Sequence, residues 1–457
     1  MNNIIEKAIS EARQEHSAEG LKTLDGDSVA VEQVILALLF ADLWSDEHFQ
    51  WLAKIERKID ITSGLSTHYS ANWLKKTSQS KPISKVSAGI LAILLFKNLD
   101  KHLHDNTPPQ LLLKKANCLL KLTVLYPESL IKPLKEEFYS AISVIGQKLP
   151  EPTSKPPLDV KWSKNAGQLK TIPITVLFYE GPIARAYLET IQSLGLAPEK
   201  IINLVAGNDV ASKKPVGRFL PSGLRMKYAA NIQKQKIHFW PKSISSKTPD
   251  LKAAIATNVL ESFNFSKDAF DGANELKALT DYCSAVEHVI IDDLKDPALV
   301  QYLVQETSNV YLFTGGGLVP ADVLSIPNKR YLHIHPGFLP IVRGADCLLW
   351  SIMFYGHASA SCFYMAPGID TGDIITAEWL PALSIDLNKK SYSPKMLYRA
   401  IYSYVDPWVR AAVLRKVLLK HEGFENITIE KQSEEDGWTF HFMAASLQET
   451  AFEAFIK

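Results

Sequence analysis

The spacing of apolar residues changes at a proline-rich segment, and this change constrains the fold more than any other feature of the sequence. Before the segment, apolar residues recur at three- and four-residue spacing, as from Val29 to Trp51, which is typical of amphipathic helices. After it, β-rich runs alternate with helical patterns. The proline-rich residues indicate an extended linker. We therefore predict an all-helical domain over residues 1–147, a linker over 148–168, an α/β domain over 169–385, and a C-terminal helix with a small hairpin over 386–457.

The α/β domain begins with a strand–helix–strand pattern. It predicts a strand from Ile174 to Tyr179, a helix from Ile183 to Leu194 and a strand from Lys200 to Val205. Such a unit implies a mostly parallel, Rossmann-like sheet with right-handed crossovers. The first turn offers Gly181 without the further glycines of a dinucleotide-binding loop, so NAD binding is not supported. Later in the chain, we predict a short strand that closes in Pro241.

Composition limits the classes of partner. The 457-residue chain is 46% hydrophobic and carries a net charge of +1, which provides no general field for nucleic acid or an acidic membrane. It contains no apolar run of about 18 residues, so no membrane-spanning helix is expected. The four cysteines show no ligand-like grouping and indicate reduced thiols in a cytoplasmic protein. A homo-oligomer remains open.

The stretch from Tyr331 to Ile375 carries the chemistry. A short strand ends in His-Ile-His, and alternation along a strand places His333 and His335 on one face. Asp370 follows on a glycine-flanked turn. Imidazoles beside a carboxylate are a common acid–base arrangement. A metal site is less well supported, because no third ligand with useful spacing is present.

The ordered motifs of this stretch resemble the formyl-tetrahydrofolate-dependent formyltransferases, which act on methionyl-tRNA, glycinamide ribonucleotide or nucleotide sugars. His335-Pro336-Gly337-Phe338-Leu339-Pro340, Arg343-Gly344 and Asp370-Thr371-Gly372-Asp373-Ile374-Ile375 match the family's pattern in order and spacing. An ordered match of several parts is more specific than a single glycine motif. Two positions depart from the pattern: His333 replaces an Asn, and Gly337 replaces a Ser.

The resemblance implies transfer of a formyl group from formyl-tetrahydrofolate to an amine, without a metal. It assigns His335 as the acid–base residue, Asp370 as its partner, and His333 to the place of the family's oxyanion donor, a role that an imidazole N–H can fill. It gives Arg343 a role in steadying the loop or meeting a substrate anion, and Ser361 that of a supporting hydroxyl. The residues expected to line the folate pocket are Phe313, Thr314, Gly315, Gly316, Gly317, Leu318, Ala366, Pro367 and Gly368.

Two other functions stay open at this point. Water could replace the amine, which would make the protein a formyl-tetrahydrofolate hydrolase, or the Asn-to-His change could leave a binding protein without catalysis. Formate release from the donor alone distinguishes the hydrolase, and absence of folate binding distinguishes the scaffold. The near-neutral charge favours a small-molecule amine over tRNA as acceptor.

Overall fold

A computed structural model describes residues 99–125, 132–158, 169–209, 212–387, 391–421, 424, 427–432 and 437–457, with isolated positions before residue 99. The chain divides into two compact units. One comprises Met1–Glu151 with Phe440–Ala444, and the other Pro152–Thr439 with Ala445–Lys457. The domain boundaries expected from the sequence stay predictions.

In the first unit, the described helices are α1 (Pro109–Leu125) and α2 (Lys132–Lys148). Leu112 and Leu113 are fully buried, as the helical spacing of apolar residues predicts. The rings of Phe96 and Phe138 meet edge to face at 6.3 Å. Most of the predicted all-helical domain, including Val29 to Trp51 apart from Val34 and Leu38, lies outside the described residues.

The second unit is an α/β fold. Its strands are β1 (Lys170–Phe178), β2 (Leu196–Ala206), β3 (Val286–Ile291), β4 (Val310–Phe313), β5 (Arg330–His335), β6 (Val342–Gly344), β7 (Ser359–Tyr364), β8 (Ile374–Trp379) and β9 (Trp438–Phe440), of which Phe440 is counted in the first unit. Its α-helices are α3 (Pro182–Ser193), α4 (Ser222–Ile237), α5 (Phe239–Lys247), α6 (Pro249–Phe263), α7 (Lys267–Glu275), α8 (Pro297–Gln305), α9 (Ala321–Leu324), α10 (Cys347–Tyr355), α11 (Pro394–Tyr404), α12 (Asp406–Lys420) and α13 (Ala445–Glu453).

The main sheet has the strand order β3-β2-β1-β4-β5-β7-β8. Strands β1 to β5 pair in parallel, whereas β7 is antiparallel to both β5 and β8. The predicted mostly parallel sheet is therefore confirmed. From β1 the chain adds β2 and β3 on one side of the sheet and then returns to add β4 and β5 on the other side of β1. Open α/β sheets bind ligands beside such a reversal, at the carboxyl ends of the strands.

Residues 155 and 158 of the expected linker make hydrogen bonds and an ion pair with other residues of the second unit. The Lys155 N–H donates to the Trp379 carbonyl at 3.4 Å, and the Lys155 ammonium lies 3.4 Å from Glu378. The Asn264 side chain donates to the Leu158 carbonyl at 2.9 Å. These residues of the proline-rich segment are thus part of a packed surface.

Two local predictions are wrong. The strand expected to close in Pro241 is replaced by α5, where Pro241 sits in the first turn and its missing N–H costs no intrahelical bond. The small hairpin predicted within residues 386–457 is absent from the described pairings, and residues 433–436 of its expected turn lie outside the described residues. Strand β9 pairs with β6 instead, and Glu430 bridges Ile374. Alternation of apolar and polar residues indicates a strand but not the strand with which it pairs. Here the partners of β9 and of Glu430 both lie far away in the sequence.

Candidate active site

The last residues of β5 carry the two histidines. His333 pairs with Phe363 and His335 with Ser361 on the antiparallel strand β7. The His333 ring lies between two phenyl rings, with centroids 5.9 Å from both Phe313 and Phe363. His335 is 2% exposed, whereas His333 remains partly exposed. His333 is therefore the more accessible of the two imidazoles.

The structure brings His335 and Asp370 together. His335 Nδ1 lies 3.3 Å from Asp370 Oδ1, and His335 Nε2 lies 3.0 Å from the Val342 carbonyl oxygen. Because both ring nitrogens face oxygens that accept hydrogen bonds, both contacts are satisfied only when each nitrogen carries a proton. Asp370 Oδ2 accepts a 2.8 Å hydrogen bond from the Gly344 N–H. The pair thus ties the end of β5 to the Arg-Gly turn.

The pKa of Asp370 is lowered. Burial acts to raise this pKa, but the positive field of His335, its hydrogen bond and the Gly344 N–H together outweigh the burial. The backbone of Asp370 has φ 52°, and the Gln432 side chain donates to its carbonyl at 3.0 Å. A Cβ at Gly372, where φ is 120°, would lie 2.0 Å from the Tyr364 carbonyl, so this turn requires glycine. The carboxylate is therefore held in its charged form, on a turn whose backbone conformation requires a glycine at position 372.

His333 has a different environment. Its Nδ1 lies 3.4 Å from the Phe313 carbonyl oxygen, which can only accept, so this contact places the proton of the neutral ring on Nδ1. Burial is the largest cause that lowers the pKa of His333 to about 4, and the positive charge of Arg410 adds to it against the opposing field of Asp370. His333 is thus neutral near pH 7.

Ser361 supports the loop that follows His335. Its hydroxyl is fully buried, donates to the Gly337 carbonyl at 2.7 Å and accepts from the Leu339 N–H at 2.9 Å. The departure at Gly337 has a steric reason, because a Cβ there would lie 2.4 Å from the Val342 carbonyl oxygen. Arg343 is 3% exposed, and this burial favours its loop-steadying role over contact with a substrate anion.

The first predicted donor loop is held by hydrogen bonds at Thr314 and is exposed to solvent at Leu318. The buried Thr314 hydroxyl donates to the Leu177 carbonyl at 3.1 Å and accepts from the Tyr179 N–H at 2.9 Å, which joins β4 to β1 where the sheet order reverses. A Cβ at Gly316 would meet no heavy atom within 4 Å, and Leu318 is 65% exposed. Gly315 and Gly317 complete this stretch.

The second predicted donor loop, from Ala366 to Gly368, closes on itself. The Ala366 N–H donates to the Thr371 carbonyl at 3.0 Å, and the Thr371 hydroxyl donates to the Pro367 carbonyl at 3.0 Å. Because β7 runs antiparallel to β5, this loop leaves the sheet at the other end of the strands from the 314–318 loop. It then folds back, so that Asp370 reaches His335 at the carboxyl end of β5.

Sequence reasoning missed Asp406 and Arg410. Arg410 Nη1 donates to the carbonyl of Ile334 at 2.8 Å, directly between the two histidines. Asp406 Oδ2 accepts from Arg410 Nε at 2.9 Å. Their four-residue separation on a helix is a recognisable ion-pair spacing, and this spacing was the signal available in the sequence.

A cavity beside Lys155 lies away from the histidines. It is lined by Lys155, Pro156, Pro157, Leu158, Phe263, Glu378, Trp379, Leu380, Pro381, Ala412, Val413, Arg415 and Lys416.

Sequence comparison relates the chain to proteins of known activity. It is 32% identical over 91 residues to a methionyl-tRNA formyltransferase of Syntrophus aciditrophicus, which is 19% of this chain and 29% of that protein. It is 26% identical over 104 residues to the same enzyme of Synechococcus elongatus, which is 22% of this chain and 32% of that protein. The resemblance to the formyltransferases is confirmed. The match spans less than a third of each relative. No family model matches the chain.

Solved formyltransferases resemble the fold at low similarity. A 4-N formyltransferase from Francisella tularensis is 13% identical with a TM-score of 0.32, over 63% of this chain and 87% of that one. The formyltransferase PseJ from Anoxybacillus kamchatkensis, solved with a UDP-sugar and tetrahydrofolate, is 16% identical with a TM-score of 0.25, over 38% of this chain and 79% of that one. These TM-scores are too low to add to the sequence match.

In the part of the chain that the structure describes, no helix is long and apolar enough to cross a membrane. Within the same ranges, no group of three or more His, Cys, Asp or Glu side chains is arranged to hold a metal ion. The expectation of metal-free chemistry stays a prediction.

Proposed function

We propose that this protein transfers a formyl group from formyl-tetrahydrofolate to an amine of a small-molecule acceptor. The contact between His335 and Asp370 carries the proposal. These residues come from separate parts of the matched motifs, and the fold brings them within 3.3 Å. The similarity to named formyltransferases supports the same reaction class.

In the proposed reaction, the amine nitrogen forms a bond to the formyl carbon and the bond from that carbon to the folate nitrogen breaks. His335 and Asp370 pass the proton that the amine loses to the folate nitrogen. Each nitrogen of His335 faces an oxygen, and the ring is buried. Proton exchange with a substrate therefore requires one of these contacts to open, and acid–base contacts commonly rearrange when substrate binds. Asp370, which is charged and at the edge of the cluster, is the partner that a bound water or amine would reach first.

His333 is the proposed oxyanion donor. This role needs a proton on Nε2, whereas the contact with the Phe313 carbonyl places it on Nδ1. Giving up one hydrogen bond costs about 1 kcal/mol. One oxyanion donor contributes roughly 3 kcal/mol to the transition state. The gain exceeds the cost, so neutral His333 can fill the role after its proton moves to Nε2.

The donor substrate is proposed to lie beside the partly exposed His333, against the 314–318 loop. Phe313 and Phe363 flank the His333 ring but are only 2% and 1% exposed, so they support the imidazole from within the core. The open space at Gly316 and the exposed Leu318 side chain offer room for a flat, partly apolar ring. The aryl amine of folate would then sit beside the imidazole of His333.

The test is incubation of the protein with formyl-tetrahydrofolate, with and without a panel of small amines. Amine-dependent formation of tetrahydrofolate and a formamide supports the proposal. Equal formate release with and without amine would instead identify a hydrolase. His335→Ala and Asp370→Ala should abolish turnover. His357→Ala is the matched control, because His357 bonds the Leu380 carbonyl outside the cluster.

A further inference from the structure

A buried ion pair lies beneath the two histidines. Asp406, the first residue of α12, is 0% exposed, and its Oδ2 accepts a 2.9 Å hydrogen bond from Arg410 Nε. Its other oxygen, Oδ1, is buried and has no hydrogen-bond partner among the described residues. A buried ion pair is often no more stabilising than apolar residues of the same size, so its presence calls for another explanation.

Arg410 links this pair to the candidate site. Its Nη1 donates at 2.8 Å to the carbonyl of Ile334, the residue between His333 and His335. The planar guanidinium is held by Asp406 at Nε while Nη1 holds the strand, a geometry that Lys cannot reproduce. The end of β5 is thereby fixed from the helix α12.

We propose that Arg410, oriented by Asp406, is a positioning residue that fixes the Ile334 peptide between the histidines and holds a positive charge next to His333. Its importance for turnover rests on the formyl transfer proposed above. An uncharged His333 does not repel the ammonium form in which most amines arrive from water. It also retains an N–H for the developing oxyanion.

The surrounding charges are consistent with this role. After burial, the charge of Arg410 is the largest cause that lowers the pKa of His333. Burial raises the pKa of Asp406, and Arg410 opposes that rise. The other titratable groups that act on His333, Asp406 or Arg410 are His335, Asp370, Asp346, Tyr187, Cys347 and Tyr402.

The first experiment is an NMR titration of the histidine rings between pH 8 and pH 3.5, with His333→Asn used for assignment. In the wild type, His333 should titrate near pH 4. Removing both charges in the double variant Asp406→Asn with Arg410→Met leaves no unpaired carboxylate, and the pKa of His333 should shift upward, while burial still keeps it below its ordinary value. An unchanged His333 titration in the double variant would overturn the charge role. This measurement needs no substrate, so it is decided even if formyl transfer fails.

The second experiment separates position from charge. Arg410→Lys keeps the charge but loses the fork, so the His333 titration should stay as in the wild type while kcat falls by up to about 100-fold. Arg415→Lys is the matched control, because Arg415 lies on the same helix, is 1% exposed and donates to the Phe263 and Asn264 carbonyls instead. If the wild-type protein catalyses formyl transfer and Arg410→Lys retains full turnover, the positioning role is overturned.

Discussion

Replacement of His333 by Asn tests the oxyanion role most directly. The imidazole must release the Phe313 carbonyl before Nε2 can donate, at a cost of about 1 kcal/mol. An Asn amide carries its N–H without a tautomer change. His333→Asn should therefore retain formyl transfer and gain up to about fivefold in kcat. His333→Ala, which has no donor, should lose on the order of 100- to 1,000-fold.

The assay measures kcat for formamide formation together with donor affinity, because the two quantities separate chemistry from binding. Thermal unfolding of each variant checks that the smaller side chain between Phe313 and Phe363 leaves the fold intact. Since the pKa of His333 is about 4, its titration should not affect wild-type turnover between pH 6 and pH 8. Full activity in His333→Ala would refute the oxyanion role. A folded, donor-binding but inactive His333→Asn would show that the reaction needs imidazole itself.

Three further predictions follow from the contacts around the site. Gly337→Ser, which restores the family residue, should lower the melting temperature, because its Cβ would lie 2.4 Å from the Val342 carbonyl oxygen; an unchanged melting temperature contradicts this steric reason. Gly316→Phe should leave stability unchanged and weaken binding of a formyl-tetrahydrofolate analogue in a titration, since the Cβ position is open; unchanged affinity would count against the donor placement. Because the folded pKa of Asp370 is lowered, its contribution to stability should be present above about pH 4 and lost as pH falls toward the folded pKa. Asp370→Asn should cost about 2 kcal/mol at pH 7 and flatten the acid limb of urea-unfolding free energy; an acid limb as steep as in the wild type would argue against the His335 pairing.

Local sequence patterns predicted the elements around the site well. Strand alternation placed His333 and His335 on one face, and the glycines around Asp370 indicated its turn. These features depend on neighbours in the chain, so periodicity and turn chemistry suffice. The reach of Asp370 back to His335 could be expected only from the family resemblance, because it depends on the antiparallel course of β7.

Features set by distant partners escaped prediction. Arg410 lies far along the chain from Ile334, and no local pattern indicates which peptide its guanidinium will meet. The proton position on His333 depends on the Phe313 carbonyl of a neighbouring strand, which the sequence does not specify. Burial likewise decided which of the two histidines remains accessible, although both occupy equivalent positions in the motif.

The antiparallel course of β7 has a consequence for how the site can change. The turn that bears Asp370 and the 314–318 loop are anchored at opposite ends of the sheet's strands, by the Met365 N–H to the Tyr331 carbonyl and by the Thr314 contacts to β1. Substitutions in one loop therefore need not shift the backbone of the other, and effects at separate sites tend to add. Substitutions on the 314–318 loop and on the Asp370 turn can therefore be combined with effects on stability that sum, even though both loops belong to the proposed donor site.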